Sequence, residues 1–400
     1  MTSEPISEGS TFDVDVNRIA KGGHSLGSAP DGRTTFVSGA IPGETVNAEV
    51  TGVHKSRLEA RPAVVVTASP DRREPECRHV GDGCGGCDWQ HISTERQSTL
   101  RAEIVADCLT RLAKIDGVDI RTTSPLEATD YRSTVRVAVV DGRAAYRARS
   151  SHDLVVVEQC TIAHPLIEEL LVDGHFGGAE EVTVRLGVNT GERMVIASPT
   201  AAGVTVPDDV IVVGVDELRG GRNPHFHEEI DGIRFQISAE SFFQCRPDGA
   251  RLLAQLAGDA VAEGEGALLD AYCGVGLFAA LMGMGRSIIG VESASSAVAD
   301  FRINAGPHAK AIESKFERWP AEPVGVVVAD PARAGLKAAG CDKIAASGAS
   351  HVALVSCDPA SLARDAVLLQ ERNYKLDYVN VVDLFGQSSH VETVSRFVKS

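Results

Sequence analysis

From about residue 266 to the C-terminus, short apolar runs alternate with helical stretches, and this alternation constrains the fold more than any other feature. The apolar runs are ALLDAY, SIIGVE, VGVVVAD, HVALVSC, LDYVNVV and ETVSRFV. Strand-like runs that alternate with helices build a largely parallel sheet with helices on both faces. We therefore predict a doubly wound, Rossmann-like α/β domain over residues 236–400.

Polar residues stand where several of these strands end. Asp270 ends the first run and is followed by Gly274 and Gly276 before an apolar helix. Glu292 ends the second run, and Asp330 ends the third. Ligands in such sheets bind outside the carboxyl ends of the strands, where glycines permit close approach and a carboxylate accepts hydrogen bonds from a ribose. The pattern predicts a nucleotide-type cofactor pocket, and by itself it fits NAD as well as S-adenosylmethionine.

Cys357 takes the corresponding place at the end of the next strand, in LVSCDPASLARD. A cysteine there is more often a small buried apolar residue than a nucleophile. Glu392, in SSHVETV, begins the final strand and would by itself be an exposed surface charge. Together, the two residues supply a nucleophile and a general base beside the predicted pocket.

The N-terminal part of the chain has a different pattern. Four alternating runs, FDVDV, TTFVSGAI, ETVNAEVTGV and RPAVVVTAS, are separated by turns with Gly and Pro and predict a small all-β barrel or sandwich. A polar linker follows at 67–76, and the apolar spacing over 94–114 predicts a helix. We divide the chain into domains at 1–68, 69–235 and 236–400, and allow the helix at 94–114 to pack on the last of these.

The central region contains a predicted hairpin with a basic face. Asp141-Gly142 between two alternating runs is a strong signal for a two-residue turn. Alternation then places five arginines on one face, namely Arg132, Arg136, Arg143, Arg147 and Arg149. Like charges opposite one another destabilise a hairpin, so a bound anion would relieve a cost, although a solvated face is the alternative. In a chain with a net charge of -16, this face is the best local candidate for contact with phosphate.

Three cysteines, Cys77, Cys84 and Cys87, lie within CRHVGDGCGGCDWQH. The N-terminus has no apolar signal segment and no run of 18 apolar residues occurs, so we expect a cytoplasmic protein that does not cross a membrane. Cytosolic thiols stay reduced, and these cysteines are therefore expected to be buried, catalytic or metal-bound. Their close spacing by itself favours structural zinc.

Taken in order, six motifs resemble the RNA uracil-5-methyltransferases, which use S-adenosylmethionine to make 5-methyluridine on a class I methyltransferase fold. The motifs are SFFQ, DAYCGVG, GVE, DPARAG, SCDPASLARD and FGQSSHVETV. The N-terminal runs resemble the TRAM domain, an OB-like RNA-binding module. The cysteine run resembles the iron–sulfur site of the branch that acts on 23S ribosomal RNA.

The resemblance implies a role for each matching residue. The residues matching the S-adenosylmethionine site are Gln244, Tyr272, Glu292 and Asp330, with Asp270, Gly274 and Gly276 in the adjoining loop. Cys357 matches the nucleophile and Glu392 the base. Cys160, in VVVEQCTIAHP, would join Cys77, Cys84 and Cys87 as ligands of a [4Fe–4S] cluster, which takes four thiolates; zinc is the alternative metal. Departures from the usual family pattern occur at Arg246, Leu277, Ala332 and Gly386.

The expected function is methylation of carbon 5 of a uridine in RNA, with 23S ribosomal RNA as the substrate and a monomer as the active form. In this chemistry Cys357 adds to carbon 6 and Glu392 removes the proton from carbon 5. One alternative is a transfer-RNA methyltransferase of the same family, a branch that typically lacks the cysteine run and the barrel. The others are a non-catalytic iron–sulfur or zinc protein that binds RNA, and a nicotinamide-dependent oxidoreductase. A nicotinamide-dependent oxidoreductase is expected to have a complete GxGxxG motif, whereas here Ala279 stands in the third glycine position.

Overall fold

The computed structural model describes residues 5–149, 151–283 and 285–400. Its N-terminal strands are β1 (Thr11–Asp15), β2 (Arg18–Ile19), β3 (Ser25–Ser28), β4 (Thr34–Val37), β5 (Thr45–Val53) and β6 (Arg57–Thr67). They form one sheet in the order β1-β5-β6-β4-β3-β2. The sheet curls until β3 meets β1. The two strands approach so closely that a Cβ added at Gly27 would lie 2.3 Å from Cγ2 of Val14. The predicted all-β N-terminal unit is confirmed.

The central region is built on a second six-stranded sheet. The elements from 94 to 219 are α1 (Thr94–Cys108) with a π-helical turn (Leu109–Ala113), β7 (Asp119–Thr122), β8 (Thr134–Val140), β9 (Arg143–Arg147), β10 (Leu154–Val156), α2 (Pro165–Asp173), β11 (His175–Phe176), β12 (Glu181–Leu186), β13 (Arg193–Ser198), β14 (Val204–Thr205), β15 (Val210–Gly214) and α3 (Val215–Arg219). The sheet order is β10-β9-β8-β12-β13-β15, and β11 pairs with β14 separately. The predicted hairpin is present, because Val140 pairs with Arg143 across the Asp141-Gly142 turn.

The C-terminal region contains the predicted α/β sheet. Its elements are β16 (His225–Ile230), β17 (Ile233–Ser238), α4 (Pro247–Val261), β18 (Leu268–Ala271), α5 (Leu277–Met282), β19 (Ile288–Glu292), α6 (Ser295–Asn304), β20 (Ala309–Glu313), β21 (Val326–Ala329), α7 (Lys337–Ser347), β22 (His351–Ser356), α8 (Pro359–Gln370), β23 (Tyr374–Val382) and β24 (Glu392–Lys399). The sheet order is β20-β19-β18-β21-β22-β24-β23-β7. β18 to β22 run parallel, and β24 is antiparallel to both neighbours. All six predicted strands are found.

Helix α1 and strand β7 belong with this sheet although they precede the central sheet in the chain. Leu100, Ile104 and Val105 of α1 are buried in the same apolar cluster as residues of β21 and β22. β7 pairs in parallel with β23 and adds an edge strand that the sequence analysis did not predict. The helix predicted at 94–114 therefore packs on the C-terminal domain. None of the helices within the described residues has the length and apolar character needed to span a membrane.

Candidate active site

The predicted catalytic pair lies where two antiparallel strands meet. Ser356 at the end of β22 pairs with Thr393 of β24, and the Thr393 hydroxyl donates to the Ser356 carbonyl at 3.0 Å. Cys357 follows Ser356 and Glu392 precedes Thr393, so the ladder brings these two residues side by side. Neighbouring β21 is parallel to β22 and ends at Ala329, which places Asp330 at the same edge of the sheet.

Burial raises the pKa values of the three acidic side chains at this edge, Cys357, Asp330 and Glu392. Burial, followed by the charges of Glu392 and Asp330, raises the pKa of Cys357 to about 11. Burial also raises the pKa of Asp330 to about 7. Glu392 is only 5% exposed, and burial together with Asp330 holds its pKa well above the usual range. The three acidic groups oppose one another's ionisation in this desolvated site, and a thiol with a pKa of about 11 is protonated at neutral pH.

The Glu292 carboxylate is fixed at the end of β19 by backbone donors. Its Oε1 accepts from the N–H groups of Ser293 at 2.5 Å and Ala294 at 2.8 Å. Its Oε2 accepts from the N–H of Gly274 at 3.3 Å. The carboxylate is therefore held against the glycine loop, in the position that the sequence predicts for a ribose acceptor.

The other predicted cofactor residues surround the same edge. Gln244 donates from Nε2 to Asp330 Oδ2 at 3.3 Å, which joins a residue before α4 to the end of β21. Tyr272 has a positive φ of 62°, and its hydroxyl donates to Glu317 Oε1 at 2.9 Å. The structure thus brings Gln244, Tyr272, Glu292 and Asp330 to one side of the sheet.

Asp270 lies beneath the glycine loop. Its side chain is fully buried, and Oδ2 accepts from the N–H of Ala279 at 2.9 Å. Burial raises the pKa of Asp270 to about 8, and Oδ1 has no hydrogen-bond partner among the described residues. Gly274 and Gly276 have φ values of 50° and 92°, a conformation that favours glycine. Asp270 therefore supports the loop from below, and the two glycines allow its sharp turn.

Sequence reasoning missed two residues near the site. Phe242 is 70% exposed although it stands between buried Ser241 and Phe243 in the SFFQ motif. The available signal was an aromatic residue two positions before Gln244 in that motif. Lys21, from the β2–β3 loop of the barrel, places Nζ 2.5 Å from Oδ2 of Asp358, the residue after Cys357. No local pattern in the sequence indicates that contact.

Two departures from the family pattern meet around one segment. Arg246 is 1% exposed, its guanidinium lies 4.4 Å from the centre of the Tyr131 ring, and Nη1 donates to the Glu127 carbonyl at 2.8 Å. A Cβ added at Gly386 would lie 2.7 Å from Cα of Ala128, and the Tyr131 hydroxyl donates to the Gly386 carbonyl at 3.1 Å. Arg246 and Gly386 therefore both contact the segment 127–131. Leu277, a third departure, is buried in the apolar core.

The four predicted cysteine ligands line a single cavity. Cys77, Cys84, Cys87 and Cys160 face it together with Tyr146, whose hydroxyl lies 3.4 Å from Cys160 Sγ. Burial and the neighbouring thiols raise the pKa values of Cys84 and Cys87, the latter to about 12. Across residues 5–149, 151–283 and 285–400, no three His, Cys, Asp or Glu side chains are arranged to hold a metal ion. Cys160, although distant in the sequence, lines the same cavity as the other three cysteines.

The arginine face is only partly as predicted. The placement of Arg132 on that face is wrong: it precedes the first residue of β8, so strand alternation does not apply to it, and it lines the cysteine cavity instead. Its Nε donates to the carbonyl of Thr134 at 3.2 Å. Arg143 is exposed beside the hairpin turn.

The remaining arginines contact neighbouring segments. Arg136 and Arg147 line a shallow groove of about 290 Å³, and Arg136 forms an ion pair with Glu181 at 2.5 Å. Arg149 donates to the carbonyl of Cys87 at 2.8 Å. The charge of Arg136 is thus already balanced in part, which weakens the argument that an anion is needed there.

Comparison with known proteins assigns the chain to a family. Residues 6–63 match the TRAM domain family. An uncharacterized RNA methyltransferase from Streptomyces avermitilis is 33% identical, with 97% of this chain and 98% of the relative aligned. The chain belongs to the RNA methyltransferase family. A second uncharacterized RNA methyltransferase, from Streptomyces coelicolor, is 32% identical over 98% of this chain and 95% of its own length.

This RNA methyltransferase has the fold of a solved relative. The tRNA (uracil-54, C5)-methyltransferase of Pyrococcus abyssi, in complex with S-adenosyl-L-homocysteine, matches with a TM-score of 0.73. The match covers 96% of this chain and 99% of that structure at 20% identity. The predictions of a methyltransferase and of a TRAM domain are confirmed, and the oxidoreductase alternative is wrong.

Proposed function

We propose that this RNA methyltransferase transfers a methyl group from S-adenosylmethionine to carbon 5 of a uridine in RNA. The observation that carries the proposal is the placement of Cys357, just after β22, beside Glu392, the first residue of β24. Carbon 5 of uracil is a poor nucleophile until a group adds at carbon 6. A cysteine and a buried carboxyl group side by side supply that addition and the later removal of a proton.

The residues at the sheet edge fit the cofactor. Glu292 would accept hydrogen bonds from the ribose, since its carboxylate is already fixed by three backbone donors. Gly274 and Gly276 would let the ligand approach the loop, and Tyr272, Gln244 and Asp330 would complete its surroundings. When bound, S-adenosylmethionine supplies the electrophilic methyl group that carbon 5 takes.

The catalytic residues act before and after that transfer. Cys357 gives up its proton to solvent and forms a bond from Sγ to carbon 6, and the electron pair of the carbon 5–carbon 6 double bond moves toward carbon 5 and the carbon-4 oxygen, which makes carbon 5 nucleophilic. After carbon 5 has taken the methyl group, Glu392 accepts the proton that carbon 5 still carries, the carbon 5–carbon 6 double bond re-forms, and Cys357 leaves as a thiolate. Burial and Asp330 raise the pKa of Glu392, so its ionised carboxylate is a stronger base than an exposed glutamate.

We propose that the uridine is turned out of its stack to reach Cys357. The exposed ring of Phe242 would stack on a base, as aromatic side chains do in proteins that bind unpaired nucleotides. The TRAM domain and the groove lined by Arg136 and Arg147 would hold the flanking RNA.

We propose 23S ribosomal RNA as the substrate and a [4Fe–4S] cluster in the cysteine cavity. Four thiols facing one cavity support a four-thiolate group. A single tetrahedral zinc ion would need sulfurs about 3.8 Å apart, given Zn–S bonds of about 2.3 Å. Structural zinc, which such four-cysteine sites also bind, is the alternative occupant. Transfer RNA is the second candidate substrate, because the Pyrococcus abyssi enzyme of the same fold acts on it.

Mapping of 5-methyluridine by mass spectrometry, with and without the gene, tests the substrate. Loss of the modification at a single position of 23S ribosomal RNA is expected. Loss in transfer RNA instead would establish the second candidate, and no loss in either RNA would contradict the proposed activity.

The roles of the two catalytic residues are tested by a covalent trap. Glu392→Gln should still methylate carbon 5 and then remain bound to its RNA through Cys357, giving a band on denaturing gels that depends on S-adenosylmethionine. Cys357→Ala should give neither band nor product, whereas Cys273→Ala serves as a matched control in the glycine loop. Retained turnover in Cys357→Ala would make Cys273 the next candidate nucleophile.

A further inference from the structure

The loop that leads into Glu392 is held by one buried arginine. Residues 383–391 join β23 to β24, and we call them the base loop. Arg101 of α1 is 1% exposed and donates to the carbonyls of Phe385 at 2.9 Å, Ser388 at 2.8 Å and His390 at 3.0 Å. Its Nη1 also donates to Asp383 Oδ1 at 2.8 Å. A single guanidinium thus fixes the base loop at its beginning, in its middle, and two residues before Glu392.

A second residue of α1 supports the same loop. Gln97 lies one helical turn before Arg101 and exchanges two hydrogen bonds with Gln387. Its Nε2 donates to Gln387 Oε1 at 3.0 Å, and its Oε1 accepts from the Gln387 N–H at 3.0 Å. The backbone N–H of Trp89 donates to the Gln387 carbonyl at 3.1 Å. The base loop is therefore bound to α1 and to the segment that follows Cys87, and neither contact lies within its own sheet.

The position of Glu392 depends on this support because Glu392 is the first residue of its strand. The β24 ladder fixes the backbone after Glu392, whereas the backbone before it is fixed through His390 and Ser388. Without Arg101, the buried carbonyl of Ser388 would lose this donor and the partly buried carbonyl of His390 would lose its own, and an unsatisfied buried group forces the backbone to shift. We propose that Arg101 is a positioning residue that aims the Glu392 carboxylate at carbon 5 of the bound uridine.

This inference rests on the proposed function of Glu392 and predicts a specific kinetic split. Addition of Cys357 and transfer of the methyl group do not need Glu392 in place, but removal of the proton from carbon 5 does. Displacement of the base should therefore slow release while methyl transfer continues. A misplacement of about 1 Å can cost about 100-fold in rate, so we expect release to be about 10- to 100-fold slower in Arg101→Lys. Lysine retains the charge but cannot reproduce the planar set of donors.

The experiment measures both steps in one sample. Full-length protein is incubated with total RNA from a strain lacking the gene and with S-adenosylmethionine labelled in its methyl group, and is then denatured and digested with ribonuclease. Label that remains on the protein counts the methylated adduct, and label in free nucleotides counts the released product. Arg101→Lys should shift label from nucleotides to protein, with affinity for S-adenosylhomocysteine unchanged in calorimetry. Gln97→Ala should show the same shift to a smaller extent.

Arg96→Lys is the matched control, because Arg96 lies on the same helix and pairs with Glu103 at 2.7 Å, away from the base loop. It should leave the distribution of label unchanged. The inference would be overturned if Arg101→Lys lowered the label on protein and the label in nucleotides equally. It would also be overturned if Arg101→Lys behaved like Arg96→Lys. If Arg101→Lys does not fold, Gln97→Ala decides, and a normal distribution of label in it would also overturn the inference. Should Glu392→Gln itself hold no label on the protein, the proposed function fails and not the role of Arg101.

Discussion

The protonation of Cys357 gives a prediction whose magnitude follows from the site. Burial and the charges of Glu392 and Asp330 raise the pKa of this thiol from its ordinary value of 9.0 to about 11. Both causes have the same sign, since a desolvated site and a nearby carboxylate each disfavour the thiolate. At pH 7.5 about 1 thiol in 3,000 would be ionised in the folded enzyme, against about 1 in 30 in the unfolded chain. Alkylation of Cys357 should therefore be about 100-fold slower in the folded protein.

The assay is the pH dependence of alkylation by iodoacetamide, read by mass spectrometry on the peptide that contains Cys357. The rate should rise tenfold for each pH unit from 7 to 10 without levelling off, whereas the same peptide in denatured protein should level off near pH 9. Glu392→Gln should react faster at a given pH because one opposing carboxylate is removed. Glu263→Gln is the control, since Glu263 is exposed and pairs with Arg396. Levelling off at or below pH 9 in the folded enzyme would refute the reasoning.

Four further predictions concern the other parts of the molecule. Glu292→Ala should weaken S-adenosylhomocysteine binding by about 10- to 100-fold in calorimetry, as expected for loss of a charged hydrogen bond; tighter binding of NAD would contradict the pocket assignment. Anaerobic protein should contain iron and sulfide in near-equal amounts and lose both in Cys160→Ala, whereas stoichiometric zinc from iron-replete cells would exclude the cluster. Arg136→Glu combined with Arg147→Glu should weaken RNA binding and reduce its salt slope by about 2, and unchanged affinity would return these arginines to a solvated surface. The pKa of Asp270 is about 8 in the folded state, above its unfolded value, so the free energy of unfolding should fall as pH rises from 4 to 8. Asp270→Asn should remove that slope in denaturant titrations, and an unchanged slope would show that Asp270 is not its source.

Local chemistry made much of the site predictable. A strand followed by Gly274 and Gly276 specifies a tight turn at the edge of a sheet, because few other residues adopt its left-handed backbone. Asp141-Gly142 likewise specifies a hairpin, and Val140 pairs with Arg143 as the pattern requires. Alternation failed for Arg132, because the strand begins two residues later and a residue outside it does not follow the strand period.

The sequence by itself determined the strands, the turns and the types of chemical group present, because these depend on residues close together in the chain. Only the tertiary structure decided which of them meet. Arg101 and His390 are 289 residues apart, Lys21 reaches Asp358 from another domain, and β7 joins the C-terminal sheet although its own residues are mostly exposed. The contact of Arg101 forms because α1 buries an apolar face against the sheet and carries its polar residues with it. No local sequence pattern specifies the partner of the buried Arg101 guanidinium. That partner is determined by how α1 packs against the sheet.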